Sequence, residues 1–390
     1  MASPVSNASR LLLVTNRLVT GGSEQMLITL ARSLDRRRVV PVVACLKQGG
    51  PLVGRLSEAG IAVHADLLRH KADVLVIDRL VRLFRRERID VVCAVGSGGD
   101  RMFWSALAAR YAGRACVVWS HVYPSPDHPG FEWANRALYR YVDRFVALGA
   151  RHRRALIRME NAPAGRVQVI RNGIDVEPFD RPNLRPEARR RLDIGGEAKV
   201  AIGMVANLRP DKRHDVFIEA AGRLAKRYPQ VVFYLIGGGP EEQTVQRLAN
   251  RSGLGRDRLR LMGERNDMDV LMQGLDIVCL CSEWQECLSI VMLEAMAAGR
   301  AFVGPAIGSL DEALIDGETG RFVRPADPTS LARVLAELIG NPDQRSALGA
   351  RARAKVLGEF RAKQMARAFE ELTLSLSRRS GGALRVTRAS

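Results

Sequence analysis

Residues Leu11 to Leu34 read LLLVTNRLVTGGSEQMLITLARSL: an apolar run, a polar turn with paired glycines, then a segment with apolar residues at helical spacing. A short continuous apolar run of this kind is a strand buried on both faces, and the glycine pair turns the chain into a helix. The same rhythm continues through Val40–Leu46, a helix near Leu52–Ala59, Ile61–His64, Leu75–Arg86, Asp90–Val95, Arg101–Tyr111, Val117–His121 and Arg144–Leu148. Repeated βα units predict a parallel sheet with helices on both faces.

Between Asn172 and Arg191 the texture changes, with Pro178, Pro182 and Pro186 in a polar, basic stretch unsuited to a strand interior or a long helix. A second series follows, with strands at Lys199–Val205, Val231–Ile236, Leu259–Met262, Ile277–Leu280 and Ala301–Gly304. Helices are predicted at Asp215–Arg227, Pro240–Ser252, Met268–Gln273, Ile290–Ala298, Thr329–Leu338, Asp343–Phe360 and Ala362–Ser377, with a frayed tail after that. The expected fold class is α/β: two tandem doubly wound domains, residues 1–177 and 178–361, facing across a cleft, with a C-terminal helix in 362–390 returning to the first. At 390 residues the chain is long enough for two cores.

Composition narrows the function classes. The chain is 47% hydrophobic, and its six scattered cysteines form no C-x-x-C pair, which predicts a reduced, cytoplasmic protein without structural zinc. No apolar run reaches the roughly 20 residues of a membrane span, and none reads as an export signal. A net charge of +18 draws the protein toward polyanions, but aromatics are only 5% and arginine is spread over many helices. That disfavours nucleic acid and favours a phosphate-rich substrate or an anionic membrane surface. The stretch Val74–Arg88, VLVIDRLVRLFRRER, reads as a basic amphipathic helix, and Tyr139–Arg158 adds further arginines. The protein is therefore expected to be peripheral on the inner face of a membrane, unless the apolar side of that helix packs on the sheet.

The most specific segment is Ser282–Gly299, SEWQECLSIVMLEAMAAG. Glu286 follows a strand and Glu294 lies in the helix after it. If both were helical they would share a face roughly 12 Å apart. The amides of Cys287, Leu288 and Ser289 are read as the start of that helix, a place that suits a diphosphate. An ordinary amphipathic helix with two solvated glutamates is the plain alternative, but the helix is too apolar for it.

This segment resembles the E-x7-E signature of glycosyltransferase family 4, the retaining GT-B family with two Rossmann-like domains. Other pieces match in order: Gly21-Gly22-x-Glu24, Asn172-Gly173-Ile174-Asp175, Arg209-x-x-Lys212, Gly237-Gly238-Gly239-Pro240 and Asp316-Gly317-x-Thr319-Gly320. The resemblance implies that the first domain binds the acceptor and the second a UDP- or GDP-sugar, with no metal and no other cofactor. It implies that Glu286 meets the donor sugar and Glu294 the ribose, that Arg209 and Lys212 neutralise the diphosphate, and that His121 stands near the anomeric centre. Gly21 and Gly22 would cradle phosphate, Gly237 and Gly238 would line the donor site, and Gly263-Glu264-Arg265 would meet the base through its backbone. His128, His64, His70, His152 and His214 receive no role. The sequence departs from the family at Cys287-Leu288-Ser289, where an aromatic is common, and at Gly308-Ser309-Leu310-Asp311-Glu312, where a glycine pair is common, so the donor sugar is left open. The acceptor is a glycan, a lipid-linked molecule or a small molecule. A sugar-nucleotide epimerase or hydrolase, or a non-catalytic polyanion-binding subunit, are the alternatives.

Overall fold

The computed structural model describes residues 8–70, 72–124, 132–195, 199–284 and 286–386. His128 and Gln285 lie outside the described residues. The chain divides into two compact units, Met1–Gly173 with Ala362–Ser390, and Ile174–Arg361. The division falls at Gly173, four residues before the boundary expected from the proline-rich stretch. Ile174 donates its N–H to Phe360 O at 2.9 Å, so the second unit opens and closes on one paired stretch.

The first unit contains β1 (Ser9–Thr15), α1 (Gly22–Ser33), β2 (Val39–Cys45), α2 (Val53–Ser57), β3 (Ala62–His64), α3 (Val76–Arg86), β4 (Val91–Val95) and α4 (Gly99–Tyr111). It continues with β5 (Ala115–Trp119), α5 (Glu132–Tyr139), β6 (Arg144–Ala147), α6 (Ala150–Arg158) and β7 (Val167–Val169). Among the described residues these strands form one parallel sheet in the order β3-β2-β1-β4-β5-β6-β7. β4 (VVCAV) and β5 (ACVVW) are buried throughout, as expected of strands covered by helices on both faces.

The second unit contains α7 (Arg185–Arg191), β8 (Val200–Val205), α8 (His214–Ala225), β9 (Val231–Ile236), α9 (Glu242–Arg251), β10 (Leu259–Leu261), α10 (Met268–Gly274) and β11 (Ile277–Cys279). It ends with α11 (Ile290–Ala297), β12 (Ala301–Pro305), β13 (Arg321–Val323), α12 (Pro328–Gly340) and α13 (Pro342–Glu359). Its parallel sheet runs β10-β9-β8-β11-β12-β13. The Asp327 carboxylate accepts from the N–H groups of Thr329 and Ser330, and Pro328 follows it, so α12 begins with a side-chain cap and a preset φ.

α14 (Ala362–Val386) packs on the first unit. Phe369 lies against Trp119 with ring centroids 4.7 Å apart, and the buried Glu370 accepts from Asp35 N at 2.9 Å and pairs with Arg38 at 2.5 Å. The helix continues past Ser377, where composition predicts a tail. Its buried stretch through Met365, Phe369, Leu372 and Leu376 nucleates it, and propagation from a formed helix costs little.

The basic helix is corrected in a similar way. α3 is shorter than Val74–Arg88, and its Val76, Leu80, Val81, Leu83 and Phe84 are buried in the core of the first unit, leaving Val74 and Leu75 exposed before it. Arg79 pairs with Asp73, and Arg82 with Asp78. The apolar face is therefore spent on the sheet, as the plain reading of any doubly wound helix requires. Among the described residues no helix is long and apolar enough to cross a membrane.

Candidate functional site

In a doubly wound sheet the strand order reverses at one point, and the loops leaving the carboxyl ends of the two strands there open a crevice for ligand. In the second unit that point lies between β8 and β11. The loop after β8 carries Arg209 and Lys212, and the loop after β11 carries Glu286, residues 74 positions apart that the fold brings into contact.

Lys212 Nζ donates to Glu286 Oε1 and stands 3.9 Å from Asp211 Oδ2. Ser282 Oγ donates to the same Glu286 oxygen at 2.7 Å. Glu286 is only 8% exposed, so its charge is held by two donors in a nearly dry place. Two further ties bind the same loops: Glu283 N donates to Asp211 O at 3.1 Å, and Arg213 pairs with Glu283 at 2.9 Å. Arg209 is about half exposed, and its Nε donates to Asp211 Oδ1 at 2.9 Å. One face of this site thus presents two cations, each already paired with a carboxylate.

α11 starts at Ile290, so Cys287, Leu288 and Ser289 precede the helix, and Glu286 lies outside it. The reason is local: Ser289 is extended (φ −65°, ψ 125°) and its Oγ accepts from Met292 N at 3.3 Å, which fixes it as the cap. The two glutamates are not on one helical face. The Glu286–Cys287 peptide is instead held by the chain after β12. Ser309 N donates to Cys287 O at 3.2 Å, and Gly308, at φ +57°, comes so close that a Cβ there would lie 1.6 Å from Glu286 O. Only glycine fits. This residue was quoted in the sequence as a departure, and nothing in the local pattern marked it as a seat for Glu286.

Glu294 sits within α11, and among the described residues no hydrogen bond or ion pair holds its carboxyl. Burial pushes its pKa up to about 8, with the Asp269 carboxylate adding to the shift. Of the glycines after β9, Gly237 serves packing: a Cβ would lie 2.0 Å from Ala206 O, and the contact seats the loop that carries Arg209. Gly238 O accepts from Leu208 N at 2.9 Å, and its Cα faces the Glu264 side chain. Arg265 makes two bonds to Asp267, whose pKa the Arg265 and Arg191 guanidinium groups hold down to about 2 despite partial burial.

In the first unit, Gly21 and Gly22 begin α1, and the Glu24 carboxylate folds against Gly21 while accepting from Ser23 Oγ at 2.7 Å. His121 follows β5, its ring tilted at 54° against Trp119 with centroids 4.4 Å apart, its Nε2 buried without a partner. Burial and the nearby Arg101 charge push its pKa down to about 3, so the ring is neutral. His152, given no role in the sequence, is a structural neighbour: its Nδ1 accepts from Leu148 N at 3.1 Å, which leaves Nε2 to donate to Val122 O at 3.1 Å. All six cysteines are buried, and among the described residues no group of His, Cys, Asp and Glu could hold a metal ion.

Residues 185–355, which hold the Lys212–Glu286 pair and Glu294, match the family model of glycosyl transferases group 1, and residues 20–178 match that of glycosyltransferase family 4. The chain belongs to the group 1 glycosyltransferases. It is 34% identical over 221 residues to a D-inositol 3-phosphate glycosyltransferase of Corynebacterium urealyticum, covering 53% of this chain and 51% of that protein. The chain spans about half the length of the D-inositol 3-phosphate glycosyltransferases it matches. A GDP-mannose-dependent alpha-(1-6)-phosphatidylinositol monomannoside mannosyltransferase of Mycolicibacterium smegmatis is 26% identical, over 87% of this chain and 91% of its own. Among solved structures, Anabaena HepE in complex with UDP and glucose superposes with a TM-score of 0.83 at 23% identity, covering 94% of this chain and 99% of that one, a likeness of fold.

Proposed function

We propose that the protein is a retaining glycosyltransferase that moves a hexose-type sugar from a UDP- or GDP-sugar to an acceptor carrying an anionic group, either a lipid-linked molecule or a small one. The observation that supports this reading best is the meeting of Lys212 and Glu286 at the strand-order reversal of the second unit, with Arg209 on the same loop as Lys212. The names of the relatives support the choice of substrates: one acts from GDP-mannose on a phosphatidylinositol mannoside, another on inositol phosphate, and HepE was crystallised with UDP and glucose.

In this reading Arg209 and Lys212 bind the diphosphate and stabilise the charge it gains as the bond from the sugar C1 to the phosphate oxygen breaks. The acceptor oxygen attacks C1 from the leaving-group face, and its proton passes to a donor phosphate oxygen, so no protein nucleophile is needed. Glu286 accepts hydrogen bonds from sugar hydroxyls and Glu294 from the ribose. The first unit binds the acceptor, with His121 near the anomeric carbon. The test is release of nucleoside diphosphate from a panel of UDP- and GDP-sugars, with and without phosphorylated polyols and phospholipid acceptors, followed by NMR of the product's anomeric configuration. Acceptor-dependent release with retained configuration is the expected result. Silence across the panel would refute the reading, and an inverted product would refute its mechanism.

A further inference from the structure

Lys212 ends the 3-10 turn Pro210–Lys212, and Arg213 joins that turn to α8 in the left-handed region, at φ 52° and ψ 56°. Its N–H donates to Pro210 O at 3.1 Å and its carbonyl accepts from Val216 N at 3.1 Å, so the backbone step is fixed from both sides. Asparagine and aspartate visit this region readily and glycine takes it at no steric cost, but an arginine there is strained. The Arg213 side chain bridges two stretches of chain. Its Nε donates to the two oxygens of Asp215 at 3.0 and 3.2 Å, its Nη2 to one of them at 2.8 Å, and its Nη1 pairs with Glu283 at 2.9 Å. Asp215 is in the first turn of α8, whereas Glu283 lies on the loop after β11, on the other side of the strand-order reversal. The Arg213 and Glu283 side chains are 27% and 42% exposed, and ion pairs open to water add little to stability. Stability alone therefore does not account for a strained arginine where glycine would hold the same turn, and strain kept beside a charged site points to a positional task.

We propose that Arg213 is a positioning residue: through Glu283 it keeps the loops of Lys212 and Glu286 in register when the donor diphosphate draws Lys212 off Glu286. This role rests on the glycosyl-transfer reading. In the empty protein the Lys212–Glu286 pair itself joins the loops. A donor that takes the lysine removes that link, and the Arg213–Glu283 pair, with the bond from Glu283 N to Asp211 O, continues to hold them. Glu283 is next to Ser282 and three residues before Glu286. Fixing it fixes both the carboxylate that meets the sugar and the hydroxyl that donates to that carboxylate at 2.7 Å. Arg213 is not itself a ligand of the diphosphate, since Asp215 and Glu283 already neutralise it.

The probes are UDP and GDP, titrated calorimetrically into the full chain. Glu283→Gln keeps the Arg213 backbone and cuts only the pair between the loops. It should weaken the nucleotide that binds by about fivefold, the upper range for an exposed pair, although it removes a negative charge that would repel an anion. Arg213→Gly and Arg213→Ala should weaken binding equally, with the higher Tm in the glycine variant, and Arg213→Gly combined with Glu283→Gln should lose no more than either alone. Hydrogen exchange at the Glu283 amide separates positioning from plain support. The variants should exchange faster than wild type mainly when saturated with nucleotide, because Lys212–Glu286 still joins the loops in the empty protein. The same acceleration with and without nucleotide would make the pair a structural tie, and wild-type affinity in Arg213→Gly would leave nothing for the guanidinium to do; either result overturns the proposal. Weaker binding in Arg213→Gly with none in Glu283→Gln would make the arginine a diphosphate ligand, also against it. A wild type that binds neither nucleotide would refute the glycosyl-transfer reading, whereas nucleotide binding that is unchanged in every variant would refute the positioning role alone.

Discussion

The pKa of Glu294 makes donor binding a pH experiment. In the empty protein burial and Asp269 hold the carboxyl protonated up to about pH 8. As a carboxylate it accepts from both ribose hydroxyls, so the proposed role requires the proton to leave on binding. At about pH 6, roughly two units below that pKa, ionising the group costs about 2.7 kcal/mol, or about 100-fold in affinity relative to pH well above 8. UDP or GDP, whichever binds, should therefore bind more tightly as pH rises toward 8, with a plateau above it. Calorimetry at about pH 7 in two buffers of different ionisation enthalpy should show close to one proton released per nucleotide. The nucleotide's own terminal phosphate also titrates near about pH 6, but it does so equally with Glu294→Gln, which should lose the remaining pH dependence and bind more weakly than wild type at high pH. Stability has the matching sign. The folded pKa is raised, so this group's contribution is fully present below the unfolded value near 4.5 and is lost progressively as pH rises to about 8. Identical pH profiles for wild type and Glu294→Gln would refute the ribose assignment.

Lys212→Ala should lower turnover by about 100-fold through loss of charge at the leaving diphosphate and also lower Tm, since it strands Glu286; the double variant Lys212→Ala with Glu286→Gln should regain Tm and stay inactive. Recovery of turnover in the double variant would show the pair to be structural. Gly308→Ala must move the Glu286 peptide and adopt an unfavourable positive φ, so donor affinity should fall at least about tenfold while circular dichroism keeps the native helix content, at a cost on the order of 1–3 kcal/mol; unchanged affinity would separate Gly308 from the site. With the apolar face of α3 buried and only Val74 and Leu75 exposed before it, adsorption to membranes is expected to rest mainly on charge, at about 1 kcal/mol per near-surface cation. Binding to anionic vesicles should vanish at high salt and weaken when Arg82, Arg85 and Arg86 become glutamine, and equal binding to neutral vesicles would remove the membrane from the account.

The fold was legible where strands are long and dry. β1, β2, β4, β5, β8 and β9 are apolar runs because parallel strands bury both faces, and each was placed within a residue or two. β7 and β13 were missed because three-residue strands containing Gln168 or Arg321 carry no apolar signal. Spacing along the chain starts α11 at Ile290, where it begins, but within the motif Cys287, Leu288 and Ser289 read as part of the helix, because spacing cannot tell a capped helix from an extended approach to one; Ser289 decides it. The residue types of the candidate site were legible through a family resemblance, but their physics was not. Nothing in the chain announces that Lys212 and Glu286 are paired, since the contact is made by two loops that meet only after the sheet has formed.

The state of Lys212 without a bound donor bears on selectivity. Its partner Glu286 is almost fully buried and has Ser282 as its other donor. A nucleoside diphosphate that draws Lys212 away leaves the carboxylate with one hydrogen bond in a dry site, a loss of roughly 1 to 3 kcal/mol. A complete sugar nucleotide offers hydroxyl donors to Glu286 as it takes the lysine, so the exchange is balanced on both sides. Under the proposed function the ion pair would disfavour the spent nucleotide relative to the intact donor, the ordering a transferase needs in order to release one product and accept the next substrate. In that reading the strand-order reversal of the second unit holds a paired cation that discriminates between two related nucleotides.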